Sequence, residues 1–179
     1  MTPAQFAILL GALLTLQNLY GCFRPASFGA AIRRFPRSEP WGWTFMLAST
    51  AWFVWIVRET PLAEFEAYKN YFLIGFALVG VLSCFFVKDF LAVRGLAVFI
   101  LILAKVVVDK FRWLDTAWRL YPITLAYLWV IAGMMLTVSP WRLRDIFDWK
   151  LRTDERIRLL CGVRVAMGAL FVLLGLTVF

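Results

Sequence analysis

The feature that most constrains this chain is a series of long apolar runs separated by short charged segments. The runs have roughly 17–21 residues each, close to the ~20 that carry an α-helix across a bilayer core. They do not alternate in polarity as the strands of a membrane barrel do, and a helix satisfies its own backbone in lipid. The sequence therefore predicts an all-α, polytopic transmembrane bundle with spans at about 4–22, 41–57, 71–87, 90–108, 121–138 and 159–179.

Composition supports membrane insertion over a soluble core. Hydrophobic residues make up 63% of the 179 positions and charged residues 17%, whereas soluble domains average ~45–50% and ~25%. A single soluble core could not bury so much apolar surface. The net charge of +8 does not favour nucleic-acid binding, because the basic residues stand between apolar runs. We expect the lipid bilayer and its anionic lipids as partners.

The fourth run is the least certain span. Arg94 and Lys105 leave only the ten residues from Gly95 to Ala104 without charge. We expect Arg94 about one turn inside the membrane, with its long side chain reaching back to the headgroups. The short Lys88–Asp89 connection predicts a tight helical hairpin with the third span. The alternative is a five-span chain in which the fourth run is re-entrant.

The distribution of positive charge predicts the orientation. Thirteen Arg and Lys residues lie in or beside the connections after runs one, three and five, and six lie on the other side. The positive-inside rule places the thirteen in the cytoplasm and both termini on the non-cytoplasmic side. The basic segment 24–40 is then a cytoplasmic loop that fixes topology and attracts anionic headgroups. Compact loops favour a bacterial cytoplasmic (inner) membrane.

The segment before the last span has an amphipathic pattern. Its apolar residues follow i, i+3, i+4 and i+8 and share one helical face: Leu143, Ile146, Phe147 and Leu151. This predicts an interfacial helix over 141–158 that lies on the inner membrane surface, or docks a cytoplasmic partner. Thr153 before Asp154 and Glu155 predicts an N-cap, so the last helix is expected to start near Asp154.

Ionisable residues within or near membrane spans are candidates for function. Lys105 and Asp109 lie four residues apart and predict an intramembrane ion pair. Two arginines near the inner surface, with two from the basic loop, form a candidate anion or lipid-headgroup site: Arg94, Arg164, Arg33 and Arg34. None of the eleven acids is expected near the midplane, which argues against a cation-coupled transporter.

Small residues recur at spacings of four and seven along several runs. The series are Ala7, Gly11 and Thr15; Cys161, Gly168 and Gly175; Ala97 and Ala104; and Ala126 and Gly133. Such faces let membrane helices approach closely, either within one chain or between chains. The amides of Gln17 and Asn18 are interpreted as packing groups, and the three cysteines as buried, reduced thiols.

The residues favour a role without catalysis. The chain has no histidine, which excludes histidine-ligated haem and histidine-based nucleophile pairs. No catalytic group, metal site or cofactor is predicted. The leading hypothesis is an accessory or assembly subunit of an inner-membrane complex, with other membrane protein subunits as partners. The alternative is a small transporter or lipid-handling protein that binds an anionic solute or headgroup.

Overall fold

A computed structural model describes residues 1–87 and 89–179, so Lys88, in the predicted hairpin connection, lies outside the described residues. The described chain is 88% helix and contains no strand, which confirms the all-α prediction. Its α-helices are α1 (Pro3–Phe23), α2 (Pro25–Arg34), α3 (Glu39–Glu59), α4 (Lys69–Phe86), α5 (Leu91–Phe111), α6 (Leu120–Val138), α7 (Trp141–Lys150) and α8 (Asp154–Thr177).

Five helical segments are long and apolar enough to cross a membrane, as an integral membrane protein requires. They are Pro3–Phe23, Ala63–Phe86, Leu91–Phe111, Ala117–Val138 and Asp154–Thr177. The second predicted span is the helix α3, which also has 21 residues. It is not one of the five, because its four tryptophans and Pro40 lower its mean hydropathy. The fourth run is the continuous helix α5, also of 21 residues.

Local capping signals set several helix boundaries. Thr2 and Gln5 form a reciprocal capping box at the start of α1, where Pro3 occupies the first turn. Thr153 caps α8 as predicted, since its hydroxyl accepts a hydrogen bond from the backbone N–H of Arg156 at 3.4 Å. This cap begins a new helix at Asp154.

The two charged connections differ from their predictions. The assignment of 24–40 as a loop is wrong for most of its length, because α2 and a 3-10 turn at Phe35–Arg37 occupy it. The helix predicted over 141–158 is shorter: α7 ends at Lys150, and residues 154–158 belong to α8. Both differences bear on the candidate site.

The described residues form two compact units. The first contains Met1–Arg34, Lys105–Leu128 and Arg144–Phe179. In it, α1 and α8 pack antiparallel through the predicted small-residue faces. A Cβ atom built on Gly175 would lie 3.0 Å from the carbonyl oxygen of Ala4, near the start of α1. A Cβ on Gly21, near the end of α1, would lie 2.5 Å from the sulfur of Cys161. The faces therefore serve packing within the chain.

Aromatic rings gather where the two chain termini meet in the first unit. The ring centroid of Phe111, at the end of α5, lies 6.3 Å from that of Phe6 and 5.0 Å from that of Phe179. Lys110 also donates a hydrogen bond to the carbonyl oxygen of Met1 at 3.1 Å. The start of α1 and the end of α8 thus lie at the same end of this unit.

The second unit contains Phe35–Ala104 and Trp129–Leu143. Here α3 packs antiparallel to α4, with ring centroids 5.1 Å apart for Trp43 and Phe85 and 5.0 Å for Phe53 and Phe76. Aromatic pairs at this spacing add to the packing energy of apolar surface.

The same helix α3 runs parallel to α5 in the second unit. A Cβ atom built on Gly42 would lie 3.1 Å from the backbone nitrogen of Ala92, and one on Gly95 would lie 2.7 Å from that of Met46. Ser49 is fully buried there and donates to the carbonyl oxygen of Gly95 at 3.2 Å. Helix α3 therefore lies alongside two of the five apolar segments over much of its length.

Candidate functional site

Helix α2, most of α7 and the first part of α8 pack together beside the end of α1. We call this group the basic cap and define it as residues 25–34 and 144–164, all within the first unit. Helix α2 folds because Pro25 opens its first turn and its apolar side chains pack on α8. At Gly29 a Cβ atom would lie 3.0 Å from the side chain of Ile157. The segment predicted as a loop therefore contains a helix, α2, that packs against α8.

The interior of the basic cap is apolar. Leu151, Ile157 and Cys161 are at least 92% buried and form one cluster. Half-buried side chains from three helices pack against it: Cys22, Phe28, Ile32 and Phe147. Phe147 and Leu151 belong to the predicted amphipathic face, so part of that face packs on α8.

A cleft opens at the edge of this apolar cluster. Its lining includes Phe28 and Ile32 of α2, Phe147 and Lys150 of α7, and Leu160, Cys161 and Arg164 of α8. Lys150 and Arg164 are the two charged side chains of the lining, and both are positive. Partial burial, and then the nearby charge of Arg164, hold the pKa of Lys150 below its ordinary value. Among the described residues, neither cation has a carboxylate oxygen within 4.0 Å.

The predicted headgroup residues have different positions in the structure. Arg164 lines the cleft. Arg33 donates a hydrogen bond from Nη2 to the carbonyl oxygen of Leu151, another lining residue, at 2.6 Å. Arg34 is exposed on the same helix. Arg94 lies in the first turn of α5 in the second unit, where its Nε is buried without a hydrogen-bond partner among the described residues. Sequence reasoning missed Lys150, although its place at the end of the amphipathic pattern was a signal.

The other predicted polar groups make local contacts. Lys105 Nζ lies 2.6 Å from Asp109 Oδ2, and both side chains are about half exposed. Asn18 is 3% exposed, and its amide donates to the carbonyl oxygen of Leu14 in its own helix at 2.8 Å. Cys84 is buried beside Met46 and Leu91 in the second unit. No three metal-ligating side chains cluster among the described residues.

The chain matches no protein-family model, no curated protein sequence and no solved structure.

Proposed function

We propose that the chain is a six-span integral membrane protein of the bacterial cytoplasmic membrane, with both termini on the non-cytoplasmic side. An odd number of spans would place the two termini on opposite faces of the bilayer. The contacts of Gly175 with Ala4, and of Phe111 with Phe6 and Phe179, keep the termini at one end of the first unit. An even number requires a sixth helix besides the five most apolar segments, and α3 is the candidate.

The composition of α3 suits a span with aromatic ends. Trp41 and Trp43 lie near its start and Trp52 and Trp55 towards its end. Tryptophan favours the two membrane–water interfaces, so it lowers the mean hydropathy of a helix without arguing against insertion. The parallel and antiparallel contacts of α3 with α5 and α4 support the same path through the bilayer.

We further propose that the protein acts without catalysis, as an accessory or assembly subunit of a larger membrane complex. The observation that carries this proposal is the environment of the eleven glycines. Nine have neighbours that a Cβ atom would contact, whereas Gly75 of α4 and Gly162 of α8 have nothing within 4 Å. Ala166 and Ala169, four and seven residues after Gly162, are also exposed. A small exposed face on a membrane helix admits close approach of another helix.

The exposure of α4 is consistent with the same role. Within the apolar segment Ala63–Phe86, which contains α4, only 11% of the most apolar stretch is buried inside the chain. The corresponding share for Leu91–Phe111, which is α5, is 44%. Gly75 lies in this exposed helix. A partner helix packed here would bury a surface that the chain leaves to lipid.

Purification from the native host in mild detergent, followed by mass spectrometry of co-purifying proteins, tests the subunit proposal. We expect a stoichiometric membrane partner that is lost in Gly162→Leu. Ala51→Leu, at an exposed small position of α3, is the matched control and should retain the partner. A lone monodisperse chain, or a partner unaffected by Gly162→Leu, would overturn the proposal.

The cleft of the basic cap favours a second candidate, a lipid-handling role. Two cations share this cleft without a carboxylate within 4.0 Å among the described residues. Such a pair attracts an anion more than it attracts a cationic or neutral ligand.

A further inference from the structure

The two positive charges of the cleft lie close enough to repel each other; Arg164 is exposed, whereas Lys150 is partly withdrawn from water. Lys150 is half-buried in α7, and Arg164 shares the cleft wall with it. Charges withdrawn from water without a partner of opposite sign are costly. An anion between the two side chains would offset both the repulsion and the desolvation. The chemistry that fits is a phosphate, which accepts hydrogen bonds from guanidinium and ammonium groups.

The depth of Arg164 relates the cleft to the end of the membrane-crossing helices. Cys161 lies beside Gly21, close to the last turn of α1, and the sulfur of Cys22 lies 4.0 Å from the carbonyl oxygen of Arg158. Arg164 comes three residues after Cys161 on α8, which places it about 4.5 Å further along the helix axis than Cys161. Under the proposed topology this is the level where phospholipid phosphates meet the hydrocarbon.

The remainder of the lining distinguishes a lipid from a free phosphate ion. Phe28, Ile32, Phe147 and Leu160 give the cleft an apolar wall beside the cations. Inorganic phosphate would leave this wall unoccupied and would bring no apolar surface of its own. A ligand with a phosphate joined to an acyl chain contacts both parts of the site.

One hydrogen bond fixes the walls of the cleft. Arg33 of α2 donates to the carbonyl oxygen of Leu151, in the connection between α7 and α8, at 2.6 Å. The contact places a cation at the C-terminal end of α7, where the carbonyl groups are unpaired and carry partial negative charge. It joins α2 to α7 and so keeps the apolar wall beside Lys150 and Arg164. Arg33 is a positioning residue in this arrangement.

We infer that the cleft of the basic cap binds the phosphate of an anionic phospholipid between Lys150 and Arg164, with an acyl chain against its apolar wall. This inference rests on the proposed membrane embedding. Phosphatidylglycerol is the test ligand, and phosphatidylcholine is its neutral counterpart with the same kind of chains.

The test reconstitutes the full chain in phosphatidylcholine nanodiscs that contain a minority of phosphatidylglycerol. Native mass spectrometry then counts the lipids that stay bound when the disc is dissociated. We expect wild-type protein to retain phosphatidylglycerol over phosphatidylcholine. Lys150→Gln with Arg164→Gln should lower that preference about 25-fold, since each basic side chain near an anionic surface contributes about a fivefold factor.

The matched control is Arg152→Gln with Arg158→Gln, which removes two exposed positive charges of the basic cap that lie outside the cleft lining. It should keep the preference of wild-type protein. Equal loss in the control would show general surface attraction and overturn the inference, as would a preference that survives Lys150→Gln with Arg164→Gln.

Two further arms separate the remaining explanations. Inorganic phosphate added in excess should not displace the retained lipid; displacement would show that a free anion occupies the site and would overturn the lipid assignment. Incorporation into the disc is measured separately by size-exclusion chromatography. A chain that does not enter the bilayer contradicts the proposed membrane embedding, whereas a chain that enters without lipid preference contradicts only this inference.

Discussion

Gly11 of α1 faces Gly168 of α8 so closely that a Cβ atom built on Gly11 would lie 2.6 Å from the carbonyl oxygen of Gly168. The reciprocal Cβ on Gly168 would lie 2.8 Å from the carbonyl oxygen of Gly11. In lipid, helices gain little from hydrophobic burial and pack by close contact between small residues. This contact therefore supports the antiparallel pairing on which both the topology proposal and the basic cap depend.

We expect Gly168→Ala to destabilise the folded protein by about 1–3 kcal/mol, as overpacking of a close contact does. Gly162→Ala is the matched control, since the same substitution on the same helix meets open space. It should be neutral or mildly stabilising, because alanine has the higher helix propensity. Unfolding followed by circular dichroism in mild detergent measures both. Equal effects of the two substitutions would contradict the packing role of Gly168.

The proposed sixth span predicts that the two ends of α3 lie on opposite sides of the membrane. In a cysteine-free background, Glu39→Cys should react with a membrane-impermeant maleimide only from the cytoplasmic side. Thr60→Cys should react only from the opposite side. Both positions are exposed in the structure, so burial does not limit the reaction. Labelling of both from one side would leave α3 outside the bilayer and contradict six spans.

Packing faces were predictable from the sequence because spacing along one helix determines which residues share a face. The series Ala7–Gly11 and Gly168–Gly175 met in the structure as α1 against α8. The cap at Thr153 was also predictable, because it depends on neighbouring residues alone. Apolar length predicted α5 as one continuous helix despite the charges of Arg94 and Lys105.

The basic cap was not predicted, because α2 depends on contacts with residues far along the chain. Phe28 and Ile32 are four residues apart between Pro25 and Pro36, which indicates a short helix with one apolar face. That signal was present, but the excess of arginines suggested a loop. The partner of Phe28 and Ile32 is the cluster around Ile157, more than 120 residues later, and no local pattern specifies it.

The grouping of Arg94 with Arg164 in the sequence analysis rests on their depth alone. Hydropathy gives the depth of a residue along a span but not the direction its side chain takes around the bundle. Arg164 lines the cleft with Lys150, whereas Arg94 belongs to the second unit. The cleft contains Arg164 and Lys150 and has Arg33 bonded to its wall, and the grouping of Arg94 with these residues stays a prediction.

The ion pair of Lys105 and Asp109 has a measurable signature if it lies in the membrane. An exposed pair of this kind contributes about 0.2–1 kcal/mol, and removing one partner costs little in water. In lipid, Asp109→Asn would leave the charge of Lys105 without its partner, which is more costly. We expect Asp109→Asn to destabilise the protein more than the double variant Lys105→Met with Asp109→Asn.

A double-mutant cycle in detergent and in nanodiscs measures that coupling. Lys69 and Glu66, a pair with three-residue spacing, are the matched control and should show a smaller coupling. Additive effects at Lys105 and Asp109 in nanodiscs would contradict their proposed place inside the membrane.

Lys150→Met is expected to raise the stability of the isolated protein. Burial and the charge of Arg164 lower the pKa of Lys150, so its charged form is disfavoured in the folded state. The sign follows from linkage: the cost is fully present below the folded pKa and is relieved as pH rises through that value towards the unfolded pKa. At neutral pH, methionine removes this cost and keeps a long apolar side chain in the lining of the cleft.

Thermal unfolding in a zwitterionic detergent should therefore show a higher Tm for Lys150→Met than for wild type, with the difference shrinking at alkaline pH. Arg164 is the other charged side chain of the cleft and the thiol of Cys161 is its other ionisable group, so the same pH series on Arg164→Gln identifies the part played by the arginine charge. Lys69→Met removes a cation that is paired with Glu66 and should bring no gain. Added phosphatidylglycerol should then reverse the order, because it stabilises the chain that has both Lys150 and Arg164 more than the variant that keeps Arg164 alone. A Tm lowered by Lys150→Met without anionic lipid would mean that the ammonium group serves the fold itself, and would remove the energetic reason for an anion at this site.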